Sequence, residues 1–154
     1  MQLERVTKIT EELWDAFQRL TPQLTTNNLP PSWEDLADLI KSETSILLVA
    51  RNPDPHEPIV GAACLTIYRV PTGIRSIIED VIVDESARGQ GIGEALVGKL
   101  LDIAREKGVK GVGLTSNPKR EAANRLYQRM GFRRRETNSY YYNFLEARPG
   151  RDPK

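Results

Sequence analysis

The chain has 154 residues, and its 22 Lys and Arg against 21 Asp and Glu give a formal net charge of only +1. This length suits one compact domain with no room for a second. The near balance of charge argues against a protein that relies on general attraction to nucleic acid or to an anionic membrane. A lone Cys and a lone His are too few for an internal disulfide, a Cys/His metal cluster or a His-based triad.

The N-terminal part of the chain predicts two helices. Apolar residues recur at helical spacing over residues 11–20 and again over 33–40, where Ser32 is a candidate N-cap. Acidic residues outnumber basic ones in this region. The connecting segment "TPQLTTNNLPP" is polar, turn-prone and long, so it is either a surface loop or a binding loop.

Three predicted strands follow. The first two are "SILLVAR" (45–51) and "PIVGAACLTIYRV" (58–70), joined by a Pro-rich hairpin loop that contains His56. Cys64 lies within the second run, and we interpret it as a small packing residue and not as a catalytic thiol. The third, "IRSIIEDVIVD" (74–84), is apolar on both faces and is therefore expected to be a central strand.

The second half alternates helices and strands. A helix over 91–107, a strand over 109–116, a helix over 120–130 and a last strand "NSYYYNF" (138–144) are predicted. With about four helices, this order predicts an α/β fold with a mixed central sheet of six to seven strands. One domain over residues 1–146 and a disordered tail over 147–154 are expected.

The segment "RGQGIG" (88–93) joins a predicted strand to a predicted helix. Its three glycines lack Cβ atoms, so an anion could reach the backbone amides at the positive end of the helix dipole, and Arg88 adds a charged donor. The alternative is a tight turn at a helix start. The segment is neither a P-loop nor a dinucleotide fingerprint, because Glu94 stands where those motifs need Lys or Gly.

These six residues fit the pattern Arg/Gln-x-x-Gly-x-Gly/Ala and resemble the GNAT superfamily of acyl-CoA-dependent N-acetyltransferases. The resemblance covers residues 77–132 and includes "NRLYQRMGF" at the expected distance. It implies a GNAT-like sheet whose strands splay apart at the cofactor site, with acetyl-CoA as cosubstrate. It further implies that the pantetheine arm pairs with the backbone from Val81 through Ile82 to Val83, and that the pyrophosphate binds the loop formed by Arg88, Gly89, Gln90, Gly91, Ile92 and Gly93.

Acetyl transfer to an amine needs a base, because an alkyl amine is mostly protonated at neutral pH. Glu79 is the candidate, and burial among Ile and Val would raise the pKa of its carboxyl group toward that use. Strand alternation places Glu79 on one face and Asp80 on the other, so the two are not expected to form an acid pair. An ion-paired structural role for Glu79, and Asp80 as the true base, remain alternatives.

Tyr127 matches the tyrosine of the family's "NRLYQRMGF" segment, and the resemblance implies that it is the general acid that protonates the departing CoA thiolate. Packing at the core edge is the alternative for this residue. Asn117 and Asn124 are candidate polar contacts to the cofactor, although Asn117 precedes Pro118 and could simply cap the helix.

The sequence therefore predicts an N-acetyltransferase that moves an acetyl group from acetyl-CoA to the primary amine of a small molecule. A catalytically silent acyl-CoA sensor is the alternative, and an amino sugar, a polyamine, an amino acid and a protein amine all remain open as acceptors.

The basic segment 119–135 either faces the CoA 3′-phosphate or only water, since it lacks the interleaved aromatic residues of a nucleic-acid interface. No signal peptide and no apolar run of membrane-spanning length are evident. We thus expect a cytoplasmic protein without metal, membrane or nucleic-acid partners that could form a homodimer.

Overall fold

The computed structural model describes residues 1–52 and 58–146, so His56 and the predicted tail at 147–154 lie outside the described residues. The strands are β1 (Gln2–Arg5), β2 (Ser45–Arg51), β3 (Ile59–Val70), β4 (Gly73–Val83) and β5 (Gly113–Leu114). The helices are α1 (Glu11–Leu24), α2 (Trp33–Lys41), α3 (Ile92–Glu106) and α4 (Glu121–Arg129), with a short 3₁₀ turn at Glu85–Ala87 before α3.

The strands form one mixed sheet in the order β1-β2-β3-β4-β5. The first four strands pair antiparallel, and β5 pairs parallel to β4. A parallel pair needs a crossover connection, and α3 supplies it between β4 and β5. The predicted mixed α/β fold is confirmed.

Hydrophobic packing covers both faces of the sheet. One core cluster gathers α3 and α4 residues such as Leu96, Leu100 and Tyr127 against one face, and a second gathers α1 and α2 residues such as Leu20 and Leu36 against the other. β2 is buried along Ile46–Ala50, so its side chains serve both clusters. β4 lies between β3 and β5 and is an inner strand of the sheet, as predicted. It is less buried than β2, because only two residues of β5 cover its outer edge.

The sheet has five strands in the described residues, and the predicted six to seven were too many. β1 was not predicted, because a four-residue strand carries almost no periodic signal. The strand predicted over 109–116 is reduced to Gly113–Leu114. Residues 138–144 form no strand and are mostly exposed, because β-forming side chains alone do not make a strand without a neighbour to which the backbone can bond.

Local side-chain contacts fix the start of α2 and the position of α1 on the sheet. Ser32 caps α2 as predicted: its hydroxyl accepts a hydrogen bond from the Asp35 amide at 3.1 Å, and the Asp35 carboxylate accepts one from the Ser32 amide at 3.2 Å. The α1 helix continues past the predicted end through Pro22 to Leu24. Its Arg19 donates to the Asp84 carboxylate and, at 2.7 Å, to the Ile59 carbonyl, which ties α1 to the end of β4.

Candidate active site

An open cleft of about 270 Å³ lies where β4 and β5 separate. The two strands pair only at Ile77 with Gly113 and at Ile78 with Leu114, although β4 continues to Val83. The predicted splay of neighbouring strands is therefore confirmed. The residues that line the cleft come from the end of α1, from β4, from the segment after β5 and from α4: Leu24, Thr25, Asn28, Ile78, Glu79, Asp80, Val81, Leu114, Thr115, Ser116, Asn117, Arg120 and Tyr127.

A β-bulge in β4 shapes the floor of this cleft. The register pairs Ala62 with Ile82 and Cys64 with Glu79, so a two-residue step on β3 matches a three-residue step on β4. Asp80 lies inside the bulge with φ of 50°, in the left-handed region that non-glycine residues seldom adopt. Such backbone strain is concentrated at functional sites, where the surrounding structure enforces it.

The bulge interrupts the alternation of side chains along β4. Ile78 packs in the cluster beneath α3, whereas Ile82 packs in the cluster beneath α1, although both have the same parity in sequence. Glu79 and Asp80 consequently both line the cleft. The expectation that they lie on opposite faces is wrong, because it assumed an uninterrupted strand.

The closeness of the two carboxylates changes the acidity of Glu79. The pKa of Glu79 is raised above its ordinary value, first by burial and then by the negative charge of Asp80. A carboxylate with a raised pKa binds a proton more strongly and is a better general base near neutral pH. The geometry is compatible with the predicted role of Glu79, and no ion pair to Glu79 is seen among the described residues.

Cys64 lies opposite Glu79 on the neighbouring strand. Burial, followed by the charges of Asp80 and Glu79, raises the pKa of its thiol to about 11. The thiol is therefore protonated at neutral pH and lacks the thiolate that a cysteine nucleophile needs. This environment agrees with the interpretation of Cys64 as a packing residue.

Tyr127 reaches the cleft from α4 while its ring packs in the core. The residue is 6% exposed, and its ring meets that of Phe132 edge to face with centroids 5.8 Å apart. Burial raises the pKa of the phenol, and the charge of Arg120 offsets this in part. The phenol is thus protonated at neutral pH and available as a proton donor. Tyr127 both packs in the core and lines the cleft, and its role as the general acid stays a prediction.

The loop 88–93 presents backbone amides at the start of α3. Gly89 and Gly91 have φ of 78° and 79°, and beyond the adjoining residues of the chain no atom lies within 4 Å of where a Cβ would stand on either residue. The first amide that bonds back into the helix is that of Ala95, to the Gly91 carbonyl at 3.0 Å. The amides of Ile92 and Gly93 lie in the first turn and have no intrahelical acceptor. The loop can therefore receive an anion, while the positive φ values show that its turn needs the glycines as well.

Only some of the residues that were predicted to contact the cofactor beside this loop face an open space. Ile82 is 3% exposed, so only its backbone could meet a ligand. The Arg88 guanidinium donates from Nε to the Val83 carbonyl at 3.3 Å and so braces the end of β4. Val81 lines the cleft, and its carbonyl accepts a bond from Arg120 at 3.4 Å.

Asn117 and Asn124 stabilise the turn that leads into α4. The Asn117 side-chain oxygen accepts from the Lys119 amide at 2.9 Å, and the Asn124 side chain donates to the Asn117 carbonyl at 3.0 Å. These bonds match the capping alternative for Asn117, whereas contacts of the two residues to a cofactor stay a prediction.

Several polar residues of the cleft were absent from the predicted site, among them Thr25, Asn28, Ser116 and Arg120. Thr25 and Asn28 belong to the polar loop that the sequence marked as either surface or binding, and its composition was the available signal. Ser116 gave no such signal. Its hydroxyl oxygen is buried without a hydrogen-bond partner, which suits an atom that a ligand or water would satisfy.

A second, larger depression of about 580 Å³ lies between the starts of α1 and α2, and none of its lining residues belongs to the predicted site. Its walls are Glu11, Trp14, Asp15, Ser32 and Trp33. In the described ranges 1–52 and 58–146, no cluster of three or more His, Cys, Asp or Glu could hold a metal ion. Within those same ranges, no helix is long and apolar enough to cross a membrane.

The profile of the acetyltransferase (GNAT) family matches residues 6–132, and the chain belongs to this family. The fold and the family expected from "RGQGIG" and "NRLYQRMGF" are thereby confirmed.

The chain is similar to several named proteins of this family. A protein of Oryza sativa subsp. japonica named "Probable glucosamine 6-phosphate N-acetyltransferase 2" is 35% identical over 115 residues, covering 72% of this chain and 66% of that protein. A Trypanosoma brucei brucei glucosamine 6-phosphate N-acetyltransferase is 42% identical over 87 residues, covering 53% of this chain and 57% of that enzyme. The matches thus span less than two thirds of the length of these relatives. The crystal structure of a Trypanosoma brucei acetyltransferase shares the fold with a TM-score of 0.72 at 32% identity, covering 92% of this chain and all of that one.

Proposed function

We propose that the protein is an N-acetyltransferase that transfers the acetyl group of acetyl-CoA to the primary amine of a small molecule. One observation carries this proposal: Glu79 and Tyr127 line one cleft, and the first has the raised pKa of a base while the second keeps its proton. Family membership supports acetyl-CoA as the donor. The first-turn amides at Ile92 and Gly93 fit its pyrophosphate.

The residues of the cleft supply the proton transfers that the reaction needs. Glu79 takes a proton from the acceptor ammonium, directly or through water, and the neutral amine that results forms a carbon–nitrogen bond at the thioester carbonyl. The nitrogen becomes positively charged in this bond and loses its remaining surplus proton to water as the amide forms. Backbone amides near Val81 stabilise the negative charge that develops on the carbonyl oxygen. Tyr127 donates its proton to sulfur as the carbon–sulfur bond breaks, which yields an amide and the free CoA thiol.

We further propose an amino sugar phosphate as the acceptor. The support is the names of two relatives, a probable glucosamine 6-phosphate N-acetyltransferase and a glucosamine 6-phosphate N-acetyltransferase. The cleft adds a fitting set of partners, since Thr25, Asn28 and Ser116 offer hydroxyl and amide groups for sugar hydroxyls and Arg120 offers positive charge for a phosphate.

The test is an acetyl-transfer assay with acetyl-CoA and a panel of amines, followed by mass spectrometry of the product and thiol titration of released CoA. We expect N-acetylation of glucosamine 6-phosphate, with a lower kcat/KM for unphosphorylated glucosamine because Arg120 would lose its phosphate partner. Acetylation of a polyamine or an amino acid instead would overturn the acceptor and keep the enzyme. Acetyl-CoA binding without turnover on any amine would favour the silent sensor.

The pair of carboxylates leads to a prediction about pH. The acid limb of the kcat/KM profile should report deprotonation of Glu79. Because the negative charge of Asp80 raises the pKa of Glu79, Asp80→Asn should lower that pKa and move the limb to lower pH while turnover at neutral pH is largely kept. Asp102→Asn, an exposed change on α3, is the control and should leave the limb in place. Loss of turnover in Asp80→Asn at every pH would identify Asp80 as the base.

A further inference from the structure

The glycines of the loop 88–93 do little to hold the loop in place. Beyond the adjoining residues of the chain, no atom lies within 4 Å of where a Cβ would stand on Gly89 or Gly91. Glycine has no side chain to bond and restricts its backbone less than any other residue. The segments on either side must therefore set the position of the loop amides. On the C-terminal side this segment is α3, which begins at the buried Ile92.

On the N-terminal side the anchor is Asp84, which joins β4 to the 3₁₀ turn Glu85–Ala87. The Asp84 side chain is only 12% exposed. One of its carboxylate oxygens accepts hydrogen bonds from the Ser86 amide at 3.0 Å and from the Ser86 hydroxyl at 2.9 Å. The Ala87 amide donates to the Asp84 carbonyl at 2.9 Å. Asp84 thus fixes the turn directly before the loop 88–93.

Two side chains of α1 hold this turn from outside the cleft. The Arg19 guanidinium donates from one nitrogen to the other carboxylate oxygen of Asp84 and from a second nitrogen to the Ile59 carbonyl at 2.7 Å. On the next turn of α1, the Gln23 side-chain oxygen accepts a hydrogen bond from the Glu85 amide at 2.8 Å. The first amides of a helical turn have no acceptor within the turn, so these contacts satisfy donors that the turn itself leaves free.

We propose that Arg19, Gln23 and Asp84 are positioning residues for the loop 88–93, which place its backbone amides where the pyrophosphate of the cofactor binds. The inference rests on the proposed function, since it takes this loop as the pyrophosphate site. It adds residues that do not line the cleft.

The chemistry of Arg19 suits this task. Its planar guanidinium donates to a carboxylate and a carbonyl at once, whereas a lysine ammonium is a single point charge on a flexible stem. Without Arg19, the poorly exposed Asp84 carboxylate loses its positively charged partner, and a largely buried charge that loses its partner is costly. The turn would then shift to expose the carboxylate to water, and the loop would shift with it.

The test treats the two halves of the cofactor separately. Nuclear magnetic resonance of the isotope-labelled chain follows the backbone amides during titration with inorganic pyrophosphate, with pantetheine and with CoA. We expect Arg19→Met to weaken binding of pyrophosphate and CoA by about tenfold, the usual effect of losing one hydrogen bond to a charged group. Pantetheine lacks the pyrophosphate, so its affinity should not change. Arg19→Lys keeps the charge and should recover part of the loss.

Arg51→Met is the matched control. Arg51 also ties α1 to the sheet, since it pairs with Glu12 of α1 and with Glu4 of β1, but it holds the start of the helix. The control should bind all three ligands as wild type does. Gln23→Met is a second variant, which removes the acceptor of the Glu85 amide and keeps the pair of Arg19 with Asp84. It should weaken pyrophosphate binding in the same direction.

The possible failures are distinguishable. Wild-type affinity for pyrophosphate in both Arg19→Met and Gln23→Met would overturn the inference and leave the proposed function intact. An equal loss in Arg51→Met, or a matching loss of pantetheine binding in Arg19→Met, would assign the effect to general docking of α1 and would also overturn it. A wild type that binds neither pyrophosphate nor CoA would overturn the proposed function, and the inference with it.

Discussion

Glu79→Gln is expected to lower the rate of acetyl transfer at neutral pH by about 10²- to 10⁴-fold, the usual contribution of a general base. Glutamine has nearly the same size as glutamate and cannot accept a proton at this pH, so the change removes the base with little effect on packing. The measurement is kcat for the acceptor identified in the amine panel. Glu106→Gln is the matched control, because Glu106 is exposed at the end of α3 and the same chemical change there should leave kcat unaltered.

The pH dependence of this defect identifies what Glu79 does. An alkyl amine has a pKa of about 10, so at alkaline pH a growing fraction of the acceptor arrives without its extra proton. The deficit of Glu79→Gln relative to wild type should therefore shrink between pH 7 and pH 9.5. A deficit that is as large at pH 9.5 as at pH 7 would mean that Glu79 is not the base, and Asp80 or a bound water would replace it.

Tyr127→Phe is expected to lower kcat by about 10²-fold or more, because the departing thiolate loses its proton donor. The ring remains, so the edge-to-face contact with Phe132 and the fold should be retained. Alkaline pH should not restore the rate, since it supplies no acid. The measurement is the pH profile of kcat beside that of Tyr68→Phe, a control in which the same hydroxyl is removed from a residue that is 38% exposed on β3.

Full activity of Tyr127→Phe would show that the thiolate leaves without an acid, and the role of Tyr127 would then be core packing. A rate that falls together with the melting temperature would also assign the defect to packing. A lower kcat with unchanged melting temperature and unchanged acetyl-CoA affinity is the result that supports the acid.

The fold was predictable in outline because its long elements carry strong periodic signals. The apolar stripe of α3 predicts a helix and the apolar run of β2 predicts a strand, each from the sequence alone. The short elements were not predictable, since β1 and β5 are strands only because a neighbour pairs with them. The prediction of a strand over 138–144 was wrong for the opposite reason, because its side chains favour a strand but the segment is not part of the sheet in the structure.

The candidate site was predictable where a residue type and a motif coincide, as at Glu79, Tyr127 and the loop 88–93. The site was not predictable where the backbone geometry determines which side chains line the cleft. The bulge at Asp80 brings the carboxylates of Glu79 and Asp80 into one cleft. The sequence "IEDVIV" does not predict this bulge, because its residues fit an uninterrupted strand. Ser116 was not predictable either, since only the structure shows that its hydroxyl oxygen is buried without a hydrogen-bond partner.

The most direct measurement is calorimetric titration of the wild-type protein with acetyl-CoA, joined to thermal unfolding with and without the ligand. If acetyl-CoA binds the folded protein through the loop 88–93 and the edge of β4, heat should be released or absorbed on titration. A concentration about 100 times Kd should stabilise the fold by about 2.7 kcal/mol and raise the melting temperature. No heat and no shift in melting temperature at millimolar acetyl-CoA would contradict the acyltransferase function.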